Sequence, residues 1–122
     1  MDFALKDYKK ARFNYSMATF IGKEKRDIEF YQLARVYKEL GKFKEELKFY
    51  KKAYEENGKN YKALYQLATT SENFYEDKKI AYKYYQNYID RFENKDSLLT
   101  AYAKVRLQEI KKYYFLHGKI LE

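Results

Sequence analysis

The chain has 122 residues, of which 46% are hydrophobic and 36% charged, with 16 Tyr and 9 Phe but no Trp, Pro or Cys. That length suits a single hydrophobic core, and the lack of Cys excludes disulfide staples and thiolate metal sites. An excess of 26 Lys and Arg over 18 Asp and Glu gives a net charge of +8, which favours acidic partners by long-range steering.

With no Pro and only four Gly, the composition suits long helices and leaves little room for hairpin turn chemistry. No apolar run approaches the roughly 18–20 residues that span a bilayer, so no membrane insertion by this segment is expected. The start, Met1-Asp2-Phe3-Ala4-Leu5-Lys6, lacks the basic and then apolar order of a signal peptide. Localisation stays open between cytoplasm and periplasm.

Apolar spacing of three and four residues predicts six helices, at roughly 2–21, 27–40, 43–57, 60–74, 77–92 and 96–115. The first carries Phe3-Ala4, Tyr8 and Ala11. The second opens on Tyr31-Gln32-Leu33-Ala34, continues through Tyr37 and Leu40, and breaks at Gly41. Phe43, Leu47, Tyr50, Ala53 and Tyr54 mark the third. In the fourth, Tyr65-Gln66-Leu67-Ala68 repeats the earlier tetrad 34 residues on, and a turn follows at Asn73–Asp77. The fifth bears Ala81, Tyr84, Tyr85, Tyr88, Ile89 and Phe92, so the second hairpin copies the first with about one residue inserted at its turn. Asp96-Ser97 can cap the sixth helix, which carries Leu99, Ala103, Leu107, Ile110 and Tyr114 and ends near His117-Gly118.

These residues resemble the tetratricopeptide repeat, a 34-residue helical hairpin with large and small residues at set places. From Asp27, the residues Phe30, Leu33, Ala34, Tyr37, Gly41, Phe43, Tyr50 and Ala53 match. Glu46 stands where a small residue is expected and Gly58 where the family often has Pro. From Tyr61, the residues Leu64, Leu67, Ala68, Ala81 and Tyr85 match, whereas Ser71 and Tyr88 depart. The resemblance implies an all-α, right-handed solenoid segment of antiparallel helical hairpins in one domain. Its parts are the second helix of a truncated repeat (1–26), two repeats (27–60 and 61–95) and a closing helix (96–120), with 121–122 compatible with a tag remnant. Small Ala34, Ala53, Ala68 and Ala81 let helices approach closely, while Tyr37, Phe43 and Tyr50 fill the gaps between them. An irregular helical bundle with a chance echo is the alternative.

The residues offer little for catalysis, and no cofactor or metal is expected. With His117 as the single His and no Cys, Cys/His pairs and multi-His metal sites are excluded. His117 reads as a residue interacting with a helix C-terminus. Glu45-Glu46, Glu55-Glu56 and Glu76-Asp77 are sequence neighbours, which point about 100° apart on a helix, and no glycine-rich phosphate loop exists. The basic residues form dispersed doublets such as Lys51-Lys52 and Lys78-Lys79, which weighs against nucleic acid even though Tyr and Lys interleave at 82–85.

What remains is binding. In tetratricopeptide arrays the first helix of each hairpin lines a concave groove, and the resemblance carries this role to Ile28, Tyr31, Gln32, Arg35, Lys38 and Glu39, then Lys62, Tyr65, Gln66, Thr69, Glu72 and Asn73. Gln can bond a peptide backbone, Tyr offers amphipathic area, and Arg35 or Lys38 can meet a carboxylate. Tyr31 and Tyr65 could instead pack on the adjacent helix. The family's carboxylate-clamp subclass has Lys and Asn where this chain has Tyr31 with Arg35 and Tyr65 with Thr69, so chaperone-tail recognition is not implied. The expected role is a non-catalytic protein–protein interaction module or scaffold for a peptide or partner domain. The alternatives are a structural connector that self-associates through an exposed array end, and nucleic-acid binding through the basic, Tyr-rich surface.

Overall fold

A computed structural model describes residues 26–119. They form five α-helices: α1 Asp27–Glu39, α2 Phe43–Glu56, α3 Tyr61–Phe74, α4 Lys79–Phe92 and α5 Ser97–Leu116. Among the described residues there is no strand, and no helix is long and apolar enough to cross a membrane. Six helices were predicted. The first of them, 2–21, and with it the leading half-repeat, lies outside the described residues, as do 120–122.

The helix ends follow from local chemistry. After α1, Gly41 takes φ +70°, a conformation that only glycine adopts without strain. That turn sends the Gly41 amide to Lys38 O and the Lys42 amide to Tyr37 O, both at 3.0 Å, satisfying two carbonyls at the helix end. Gly118, at φ +63°, repeats this after α5, with its own amide on Phe115 O and that of Lys119 on Tyr114 O. The Asp96 carboxylate caps the start of α5 by accepting from the Leu98 and Leu99 amides at 3.0 and 3.2 Å. Asn60 does the same for α3, its Oδ1 accepting from the Ala63 amide at 3.0 Å.

The described residues fall into two compact units that divide inside α3, between Ala63 and Leu64. In the first, α1 packs against α2. Leu33, Ala34 and Tyr37 from α1 and Leu47, Tyr50 and Ala53 from α2 are buried, the stripe that their spacing predicts. Glu46, on the same side of α2, is also buried.

Phe43 does not fill the gap expected of it. It is 55% exposed. As the first residue of α2 it leans over the preceding turn, because helical side chains tilt towards the N-terminus. Phe49 takes the place instead, stacking on Tyr37 with ring centroids 5.4 Å apart and on Phe30 at 6.1 Å. Lys52 Nζ lies 5.3 Å from the Phe49 centroid and 5.7 Å from that of Phe30, so its charge meets ring faces, contacts of about 0.5–1 kcal/mol at exposed sites.

In the second unit, Leu67 and Ala68 of α3 and Ala81, Tyr85 and Tyr88 of α4 are buried, and α4 packs against α5. Ser71 and Tyr88, the two departures from the repeat pattern, are fully enclosed. On α5 the buried stripe is Thr100, Ala103, Leu107, Ile110 and Tyr114. Thr100 donates its hydroxyl to Glu93 O at 2.7 Å, which fastens α5 to the end of α4.

Helix α3 begins 34 residues after α1. The turn between α3 and α4 runs over 75–78, one residue longer than the turn at 40–42 between α1 and α2. This is the extra turn residue expected from the sequence, and across each of the two turns a helix of 13 or 14 residues is followed by one of 14.

Candidate functional site

In the first unit, the start of α1 and the start of α3 enclose a cleft of about 340 Å³ lined by Asp27, Ile28, Tyr31, Gln32, Asn60 and Lys62. Its floor is built from the chain's own polar contacts. Asn60, while capping α3, donates its Nδ2 to Asp27 Oδ2 at 2.7 Å, and Asn57 donates to the same oxygen at 3.3 Å. Asp27 is buried in the first turn of α1, where a carboxylate also complements the helix dipole. One acid therefore ties α1 to the loop that launches α3. The Arg26 amide adds a second tie, donating to Glu56 Oε1 at 3.2 Å.

The walls are of a different character. Tyr31 is half-buried, its ring set edge-on to Tyr50 at 5.4 Å, which holds it in one orientation. Gln32, one residue on, is also half-buried, and Lys62 on α3 is exposed. Ile28 is exposed and apolar. The cleft thus offers an amide, a cation, a phenol and an aliphatic side chain around a floor whose carboxylate is already engaged.

Four of the residues to which the resemblance carries the groove, Ile28, Tyr31, Gln32 and Lys62, line this cleft together. Arg35 and Lys38 are exposed on the later turns of α1 and do not line it. Tyr65, Gln66, Thr69 and Asn73 belong to the second unit. Tyr65 is only 8% exposed, its ring edge-on to Tyr88 at 5.7 Å and to Tyr102 at 6.1 Å. Burial, with Tyr102 next in importance, pushes its hydroxyl up to about 12. Thr69 turns its hydroxyl back onto Gln66 O at 3.0 Å. Gln66 is half-buried and Asn73 exposed.

Glu72, one of the groove positions carried over from the resemblance, is also engaged within the second unit. Its carboxylate accepts from Arg106 through Nε, at 3.1 and 3.0 Å to its two oxygens, and through Nη2. The Tyr85 hydroxyl donates to it at 2.8 Å. The Glu72 hydrogen bond raises the Arg106 guanidinium above its usual value. Burial first, and then the Glu72 charge, push the Tyr85 phenol far above the ordinary range. These three side chains join α3, α4 and α5.

A second hollow in this unit, of about 680 Å³, is lined by residues that include Asp77, Lys79 and Tyr114. Its acid is committed as well: Asp77 accepts from the Tyr114 hydroxyl at 2.6 Å and from the Lys79 amide at 3.0 Å. The Tyr114 hydrogen bond holds the Asp77 carboxyl below its usual value. His117 sits at the C-terminal end of α5 with Nδ1 2.8 Å from Tyr113 O and its ring on that of Tyr113. Among the described residues no group of His, Cys, Asp and Glu could hold a metal ion.

No protein-family model matches the sequence, and no curated protein matches it.

Nothing in the sequence marks Asp27 and Asn60 together as residues of one site. Asn60 immediately before a helical pattern carries the signal of an N-cap, but its bond to Asp27 spans 33 residues and has no local signature.

Proposed function

We propose that this chain is a non-catalytic protein-interaction module of tetratricopeptide-like design, and that the cleft at Ile28, Tyr31, Gln32 and Lys62 takes an extended, acidic peptide. The observation that carries this reading is the convergence of those four side chains from two helices on one cleft. Gln32 presents an amide able to donate to and accept from a peptide backbone, as strand-like ligands require. Lys62 supplies a cation for a carboxylate, and Ile28 with the Tyr31 ring supplies apolar area for a neighbouring side chain. The net charge of +8 would speed encounter with an acidic ligand and make it salt-sensitive. The 34-residue spacing of α1 and α3 supports the repeat reading on which the groove assignment rests.

Selection of a random displayed-peptide library against the full chain tests this. Enriched peptides should be rich in Asp and Glu. Lys62→Glu and Gln32→Ala should each weaken their binding by roughly tenfold or more, about 1.4 kcal/mol. Peptides that bind both variants as tightly as the parent chain would refute the assignment, as would a selection that enriches nothing.

A further inference from the structure

Helix α5 is apolar on both sides. Its buried stripe is in contact with its own unit, yet the opposite side carries Leu98 (80% exposed), Val105 and Leu116, with Phe115 (83% exposed) on the flank and Tyr102 half-open, one edge of its ring being set on Tyr65. A helix that closes a repeat array is expected to turn a polar outer face to water, and this one does not. The spacing of the exposed side chains is regular. Leu98, Tyr102, Val105, Glu109, Lys112 and Leu116 follow one another at intervals of four, three, four, three and four residues. That alternation is the seam of a coiled coil.

We infer that α5 is a self-association surface and that its occupant is α5 of a second copy of this chain, packed antiparallel. The seam is self-complementary in that direction. With the two-fold axis near Leu107, Leu98 of one copy meets Leu116 of the other, Tyr102 meets Lys112, and Val105 meets Glu109. Apolar ends are thereby covered by apolar ends, and each charged residue of the seam lays its aliphatic stem against an apolar partner with its head at the rim. A two-fold pairing of this kind is isologous, every contact occurring twice.

The area suits a weak, reversible dimer. Over a helix about 30 Å long, the exposed side chains of the seam can cover on the order of 500 Å² per copy, the low end of specific interfaces. Charge explains why this face serves. The chain carries +8 overall, which opposes association, whereas the seam holds one acid and one base.

Sedimentation equilibrium of the full chain over roughly 1–500 μM should show a species of twice the 15.0 kDa chain mass. Val105→Glu combined with Leu116→Glu should weaken dimerisation by roughly 100-fold with helical content unchanged and with the melting temperature of the dilute, monomeric chain unchanged, because both side chains are exposed in the single copy and only the dimer's added stability is lost. The direction is separately testable because the chain has no Cys. Leu98→Cys with Leu116→Cys should oxidise to a covalent dimer, while neither single variant should, since like positions lie about 27 Å apart in an antiparallel pair. A chain that stays monomeric throughout, or a double-Glu variant that dimerises as tightly, overturns the proposal. Cross-linking through either single Cys overturns the antiparallel register.

Discussion

Arg106 on α5 and Glu72 on α3 stand 34 residues apart and meet through Nε and Nη2 on both carboxylate oxygens. Glu72 is mostly enclosed, with its side chain 12% exposed against 31% for Arg106. Removing the cation alone therefore leaves a carboxylate that has lost its charged partner. Arg106→Met should destabilise the chain by about 1–3 kcal/mol in urea unfolding, and adding Glu72→Gln should recover part of that loss. Strictly additive losses in the double variant would mean that the two side chains act independently.

Asn60 works twice, capping α3 and holding Asp27. Asn60→Ala should cost about 2 kcal/mol, the sum of a lost cap and a lost bond to a charged group. Asn60→Ser keeps a capping oxygen and should recover only the cap's share. Equal losses in both variants would place the effect in the contact with Asp27 alone.

Ser71 lies where the first hairpin has Tyr37, and its Oγ is buried with no hydrogen-bond partner among the described residues. Ser71→Ala removes an unsatisfied hydroxyl at little cost in volume, so it should stabilise the fold by about 1 kcal/mol. A drop in melting temperature would reveal a partner for that hydroxyl.

Alkaline pH should weaken the fold through its buried phenols. Tyr65 has its hydroxyl raised from 10.0 to about 12, and Tyr50 and Tyr85 are raised beyond that range. The unfolded chain loses these protons first, so the contribution is intact below pH 10 and is lost as pH rises from there through the folded-state value. Unfolding free energy measured across pH 10–12 should fall, and Tyr65→Phe should flatten the slope. An unchanged slope in that variant would assign the alkaline loss to other groups.

Much of the fold was legible because its signals are local. Gly41 and Asp96 mark helix ends by their own backbone and side-chain chemistry, and all five described helices begin and end within two residues of the predicted bounds. Leu33, Ala34, Leu67 and Ala68 reach the interior as their spacing requires. Phe43 departs from the place its type suggests because position within a helix, not residue type, decides where a side chain leans. The Glu72–Arg106–Tyr85 cluster escaped because its members are brought together only by packing. The same holds for Asp27 with Asn60, so the cleft's outer wall could be named in advance and its floor could not. Tyr31 and Tyr65 are identical in local sequence, yet the first lines a cleft while the second is enclosed by Tyr88 and Tyr102.

Docking of a peptide where α1 and α3 begin can be followed residue by residue by chemical-shift mapping. Isotope-labelled full chain should be titrated with an acidic peptide taken from the library selection. Shifts concentrated on Ile28, Tyr31, Gln32 and Lys62, with their neighbours in the first turns of α1 and α3, are the predicted result. Shifts that leave those residues unmoved and gather on the outer face of α5, or elsewhere in the second unit, would contradict it.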